Sequence, residues 1–185
     1  MMEFRGTTIC AVKRNGVTAI AGDGQVTAGE SVIMKSTAKK VRRIYNDNVV
    51  IGFAGSVSDA LSLCERFEAA LAKFSGNLER SAVDLAEKWR SEQGARKLDA
   101  LLLCADRETL LLVSGTGEVI EPDGDVCAIG SGGNYALAAA RALLQETTLG
   151  AEDIARKALE IASQICVYTN DHIRVETIGA KEEEK

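Results

Sequence analysis

Twice along this chain a run of short apolar segments gives way to a pair of amphipathic ones, and one more short segment closes the sequence. That order limits the fold more than any single residue does. Short alternating or continuous apolar runs mark strands, and apolar residues spaced by three and four mark helices. Strands are expected at 7–12 and 17–21, joined by the hairpin turn Arg14-Asn15-Gly16. Two more follow at 41–45 and 49–53 around Asn46-Asp47-Asn48. Ser56 and Asp59 then resemble a capping box. Beyond it Leu61, Cys64, Phe67, Leu71 and Phe74 form one helical stripe that stops at Gly76-Asn77. A second helix is expected at 81–93, with Val83, Leu85, Ala86 and Trp89 on its apolar side. Strands return at 100–104, 109–113, 118–120 and 126–129, then helices at 134–146 and 151–168, and a last strand at 173–177. Runs of strands alternating with helix pairs imply an α+β fold with antiparallel sheets. The strands are apolar on both faces, so each sheet needs cover on both sides. Two halves stacked sheet on sheet, with a helix layer outside each, satisfy this.

With 185 residues, 46% of them hydrophobic, the chain is long enough for one domain with a substantial core. Its net charge of -5 argues against a general nucleic-acid role, and the basic run Lys39, Lys40, Arg42, Arg43 is local. The five cysteines lie far apart with no C-x-x-C, which reads as reduced, mostly buried thiols of a cytoplasmic protein. His172 is the single histidine, so a His-based zinc site or a Ser-His-Asp triad is hard to build. Residues 1–6 have no secretory pattern, and no stretch is long enough to span a bilayer. They read as a disposable leader, 7–178 as the domain, and 179–185 as a charged, frayed tail.

Several segments can carry chemistry. Thr7-Thr8 starts the first strand, where β-branched residues are ordinary. A threonine that is the first residue of a chain is also a nucleophile, because its own α-amine takes the hydroxyl proton. Thr7 reaches that state only if the bond after Gly6 is cut. Gly22-Asp23-Gly24-Gln25 is ordinary turn material, yet the hairpin about Asn15-Gly16 folds Asp23 back beside Thr7. Lys39-Lys40 is either solvated charge or a source of one buried ammonium that favours an alkoxide-like hydroxyl. Gly55 is a plain helix entry or an N–H aimed at a developing oxyanion. Gly130-Ser131-Gly132-Gly133 lies between strand and helix; it fits a dinucleotide loop poorly, because Tyr135 takes the third glycine position. Its other use is a serine hydroxyl that relays a proton. The helix end at Ser163, Cys166 and Thr169 offers carbonyls to water or to a hard monovalent cation.

Thr7-Thr-Ile, Ala21-Gly-Asp-Gly-Gln25, Lys39-Lys-Val-Arg-Arg43, Gly52-Phe-Ala-Gly55, Ala128-Ile-Gly-Ser-Gly-Gly133 and Ile165-Cys-Val-Tyr-Thr-Asn170 stand in one order and at one set of spacings. Together they resemble the HslV (ClpQ) family, peptidase subunits of the bacterial HslUV ATP-dependent protease and relatives of proteasome β subunits. The resemblance covers nearly the whole chain. It implies an αββα N-terminal-nucleophile hydrolase, a threonine-type endopeptidase that removes its own leader after Gly6. It implies Thr7 as nucleophile, Asp23 and Lys40 as its charged pair, Ser131 as helper and Gly55 as oxyanion donor. Lys40 is preferred to Lys39 because it directly precedes Val-Arg-Arg. The resemblance further implies a sodium ion held by the carbonyls of Ser163, Cys166 and Thr169. The implied assembly is two stacked six-membered rings with an HslU (ClpY) ATPase hexamer as partner and unfolded proteins as substrates. The chain has no G-x-x-x-x-G-K-[ST] loop of its own, so ATP dependence has to come from a partner. The rival within the same family is a non-proteolytic ring-forming scaffold that keeps its leader.

Overall fold

The structure is a computed structural model that describes residues 4–29, 31–92 and 100–179. Twelve strands and four helices follow one another as β1 (Phe4–Gly6), β2 (Ile9–Arg14), β3 (Val17–Gly22), β4 (Val26–Ala28), β5 (Val32–Lys35), β6 (Val41–Ile44), β7 (Val49–Ser56), α1 (Val57–Lys73), α2 (Leu78–Glu92), β8 (Ala100–Ala105), β9 (Leu110–Ser114), β10 (Val119–Ile120), β11 (Val126–Ile129), α3 (Gly133–Glu146), α4 (Ala151–Ser163) and β12 (Arg174–Gly179). One sheet runs β10-β9-β8-β7-β1-β4-β5, with β6 on the remaining length of β7; the other runs β11-β2-β3-β12. Every strand pair is antiparallel.

Three apolar layers hold these pieces together. Phe67, Leu71 and Trp89 of α1 and α2 pack on Ile51, Phe53, Leu102 and Val113 of the larger sheet. Ile154 and Leu159 of α4 pack with Ala136 and Ala140 of α3 on Cys10, Val12, Ala19 and Ala21 of the smaller one. Between the sheets lie Ile9, Ala11, Ile20, Val50, Ala54 and Leu103. Alternate residues of β2 therefore face a helix layer and a sheet, which is why Ile9, Cys10, Ala11 and Val12 are apolar without a break. The result is the αββα sandwich that the order of elements implies. Each fully buried Leu, Ile or Phe in such layers contributes about 1.5–3 kcal/mol.

Local differences from the sequence reading have physical causes. Residues 4–6 form a strand that the sequence reading did not expect: β1 pairs with β4 on one side and β7 on the other. β4 and β5 lack any period-two signal, and all four residues of β5 are exposed. Asn77 both ends the first helical hairpin segment and starts α2, since its side-chain oxygen accepts the Arg80 N–H at 2.9 Å. At the start of α1 the Ser56 side chain makes no cap bond, so the capping box does not close. Leu61 and Val83 leave their expected apolar faces, being 42% and 45% exposed, while Ala60 and Ala82 take the inward positions. α4 stops at Ser163, five residues before the expected end, and the chain turns into the site. Gly179 closes β12 and so belongs to the sheet; the rest of the expected tail, 180–185, lies outside the described residues. No helix among the described residues is long and apolar enough to cross a membrane.

Candidate active site

The β2–β3 hairpin builds the first half of the site. Asn15 and Gly16 adopt φ of 53° and 73°, the left-handed pair that a tight hairpin turn needs. The register then sets Ile9 opposite Gly22, so the residues just beyond, Thr8 and Asp23, meet. The Asp23 N–H donates to the Thr8 carbonyl at 3.3 Å, and the Thr8 N–H donates to Asp23 Oδ1 at 2.6 Å. β6 delivers the cation. Lys40 directly precedes that strand, is 2% exposed, and donates from Nζ to Asp23 Oδ1 at 2.6 Å and to the Thr7 carbonyl. Lys39 beside it is exposed. Of the two lysines, Lys40 is the one whose ammonium contacts the Thr7 carbonyl.

Asp23 is fully buried and accepts four hydrogen bonds. Oδ1 takes Thr8 N–H and Lys40 Nζ; Oδ2 takes the N–H groups of Gln25 at 2.9 Å and Asn170 at 3.2 Å. Such a set of donors, one of them cationic, favours the ionised carboxylate. Burial of the lysine pulls its pKa from 10.5 down to about 6. The carboxylate 2.6 Å away opposes that pull. The two side chains, at most 1% exposed, form a buried ion pair in which Lys40 is the cation.

Thr7 lies between β1 and β2, 7% exposed, and its hydroxyl donates to the Tyr168 carbonyl at 2.9 Å. The preceding peptide bond is held from several sides. Gly6 pairs with Val26 of β4 and Gly55 of β7. A Cβ on Gly6 would lie 3.4 Å from Lys40 Cε, so the lysine stem covers this residue. Gly55 has φ of 114°, a conformation that side chains rarely adopt.

The glycine loop after β11 closes over the threonines. A Cβ on Gly130, whose φ is 91°, would lie 3.1 Å from Thr7 Cβ and 3.2 Å from Ala54 Cβ. One on Gly132 would come within 2.7 Å of the Thr8 hydroxyl oxygen. The Gly132 N–H donates to that oxygen at 3.0 Å. A dinucleotide loop needs its N–H groups free for phosphate; here Thr8 occupies the place. Ser131 sits in the same loop, but its side chain is exposed and has no hydrogen-bond partner among the described residues.

The segment after α4 supplies the opposite wall. Val167 accepts Gln25 Nε2 at 2.9 Å, Tyr168 accepts Thr7, Thr169 Oγ1 meets Thr8 Oγ1 at 2.8 Å, and Asn170 joins Gly24 N–H at 3.0 Å to the Ser36 carbonyl at 2.9 Å. Ser163 ends α4, Cys166 and Thr169 lie on the turn that follows, and the Cys166 carbonyl accepts the Thr169 N–H at 3.0 Å. The structure therefore brings Thr7, Asp23, Lys40 and Gly55 together and leaves Ser131 beside them without contact. It adds Thr8, Gln25, Tyr168 and Asn170, which the sequence reading gave no role. Tyr168 acts by its carbonyl, and Gln25 and Asn170 by one backbone N–H each together with amide side chains that bridge segments distant in sequence, so local sequence carries no signal for them.

Residues 3–178 match the family model described as proteasome subunit. An ATP-dependent protease subunit HslV of Listeria innocua is 64% identical over 179 residues, covering 96% of this chain and all of that protein. The protein of the same name from Caldanaerobacter subterraneus is 62% identical over 175 residues, 95% of this chain and 99% of its own. Among solved structures, the HslV of Trypanosoma brucei superposes with a TM-score of 0.88 at 47% identity, covering 94% of this chain and all of that one. The Thiobacillus denitrificans BPH bound to epoxomicin shares the fold, with a TM-score of 0.73 at 22% identity over 94% of this chain and 98% of that one. The chain belongs to the proteasome-subunit family and, within it, to the HslV group of ATP-dependent protease subunits.

Proposed function

We propose that Thr7 is the nucleophile of this threonine-type peptidase and that it first acts on its own chain. The observation that carries the assignment is the buried contact of Lys40 with both Asp23 and the Thr7 carbonyl. In the full chain Thr7 Oγ adds to the Gly6 carbonyl, the Gly6–Thr7 amide breaks, and an ester forms. The Thr7 nitrogen takes the hydroxyl proton as the amide breaks and so becomes a free amine; water then hydrolyses the ester, releasing residues 1–6 as a carboxylate and regenerating the Thr7 hydroxyl. In the processed enzyme the amine accepts the hydroxyl proton as the oxygen adds to a substrate carbonyl. The proton then passes to the departing amine, and water cleaves the acyl-enzyme. Lys40 lowers the cost of negative charge on Thr7 Oγ, and Asp23 holds Lys40 in place. Gly55, opposite Gly6, faces the reacting carbonyl from β7 and is the oxyanion donor in this reading. Ser131 enters as a proton relay after processing, when the freed amine and its water approach the loop.

The leader also marks where substrates lie. β1 fills a slot between β4 and β7, so its departure leaves two strand edges that accept an extended peptide. An unfolded chain offers such a main chain; a folded one does not. The partners follow from the same reading: an HslU (ClpY) ATPase hexamer delivers unfolded protein to two stacked six-membered rings of this chain in the cytoplasm. The edge strand β5 supports assembly, because Val32, Ile33 and Met34 are 48%, 60% and 55% exposed, an apolar edge that isolated proteins avoid. The carbonyls of Ser163, Cys166 and Thr169 suit a sodium ion in their all-oxygen chemistry. Such an ion would fix the turn that carries Tyr168.

Labelling tests the nucleophile. A peptide vinyl sulfone added to the purified protein should give one adduct, mapped by tandem mass spectrometry to Thr7, and abolish hydrolysis of a fluorogenic peptide. An adduct on another residue, or unchanged activity after labelling, would overturn the assignment.

A further inference from the structure

Thr8 joins three separate parts of the site, yet it touches no reacting atom in the mechanism above. It is fully buried. Its N–H binds Asp23 Oδ1 at 2.6 Å, the same oxygen that Lys40 binds. Its hydroxyl accepts the Gly132 N–H at 3.0 Å and shares a 2.8 Å hydrogen bond with Thr169 Oγ1. Thr169 follows Tyr168, whose carbonyl accepts the Thr7 hydroxyl at 2.9 Å. One hydroxyl thus ties the glycine loop that covers Thr7 to the turn that aims Thr7 Oγ. Both of its partners are buried, so neither has water to fall back on. Gly130 and Gly132 lack the side chains that would clash there, which lets the loop close on this threonine pair.

We infer that Thr8 is a positioning residue for the peptidase, and that its hydroxyl sets the orientation of Thr7 Oγ by linking the Gly130–Gly132 loop to Thr169. The inference rests on Thr7 being the nucleophile. A strand-starting threonine kept only for its shape would be replaceable by valine, which has the same size and branching. A positioning hydroxyl would not be, whereas serine would serve. The link sets geometry at the reacting atom and makes no contact in the substrate slot between β4 and β7. Its loss should therefore lower kcat and leave KM alone.

The test compares the full-length wild type with Thr8→Val, Thr8→Ser and Thr169→Val. Leader loss is followed by intact mass, and kcat and KM are measured on processed material with a fluorogenic peptide. Thr8→Val should lower the processing rate and kcat by about tenfold or more, with KM within about twofold. Thr8→Ser should restore most of the rate. Thr169→Val removes the partner without touching the segment that carries the nucleophile, so it should reproduce the kcat loss even if Thr8→Val folds poorly. The inference is overturned if Thr8→Val and Thr169→Val both keep kcat within about twofold, or if Thr8→Ser is as impaired as Thr8→Val. A wild type that keeps its leader would instead sink the Thr7 assignment itself, so the two failures are separable.

Discussion

Replacing Asp23 by asparagine probes the electrostatic core of the site with almost no change in shape. The carboxylate presents one oxygen to Thr8 N–H and Lys40 and the other to two backbone N–H groups. An asparagine has one oxygen and one NH2 group. Whichever way the amide is turned, its NH2 faces two donors, so two buried hydrogen bonds become repulsive contacts. The lysine also loses its counter-charge at 2.6 Å, with both side chains at most 1% exposed. Breaking a buried pair by removing one partner costs about 3–5 kcal/mol. For a chain of this size that corresponds to a drop in Tm of roughly 6–20 °C. Lys40→Met removes the stranded charge, so the double variant should be less damaged than the sum of the singles by about 1–3 kcal/mol. Thermal and urea unfolding of all four proteins by circular dichroism measure both quantities. An Asp23→Asn cost below about 1 kcal/mol, or strict additivity with Lys40→Met, would refute the reasoning.

Three further outcomes follow from the same geometry. Gly130→Ala should cost about 1–3 kcal/mol and block leader removal, since it adds a Cβ at φ of 91° only 3.1 Å from Thr7 Cβ; normal processing of that variant by mass would contradict the packing described here. Burial draws the Lys40 pKa below its ordinary 10.5, so as pH rises toward that value the unfolded chain binds more protons than the folded one and the Lys40 contribution to stability grows. The wild-type urea midpoint should therefore gain on that of Lys40→Met as pH rises toward about 10, and a loss over that range would show the sign to be wrong. Burial pushes the Cys10 thiol up to about 12, Cys64 up to about 11, and Cys104 higher still. These three should resist N-ethylmaleimide at pH 8 in the native protein and react after unfolding; native-state labelling would show that the layers open.

The layers of this fold were legible because each rests on repeated burial. The apolar period of α1 and α2, the apolar runs 9–12 of β2 and 19–21 of β3, and the Asn15-Gly16 turn each encode their own geometry. β4 and β5 were not legible: three and four residues long, they have no alternation, and β5 buries nothing in a single chain. β1 was hidden for a related reason, since its pairing is supplied wholly by β4 and β7 and not by its own residues. The expected end of α4 overshot because Ile165 and Val167 prolong an apolar pattern, although they are 54% and 78% exposed. In the site, Thr7, Asp23 and Lys40 could be named because their chemistry belongs to their side chains. The hairpin placed Asp23, and the resemblance chose Lys40 over Lys39. Thr8, Gln25 and Asn170 could not be named, because their contribution is where a backbone N–H or a short polar side chain ends up once two distant loops have met.

The central claim is that Thr7 becomes the first residue of the chain by its own chemistry. Intact mass of the purified full-length protein beside a Thr7→Ala variant tests it most directly. The account predicts that the wild type lacks residues 1–6 and that Thr7→Ala retains them. A wild type that keeps its leader, or a Thr7→Ala protein that loses it cleanly after Gly6, would contradict the account.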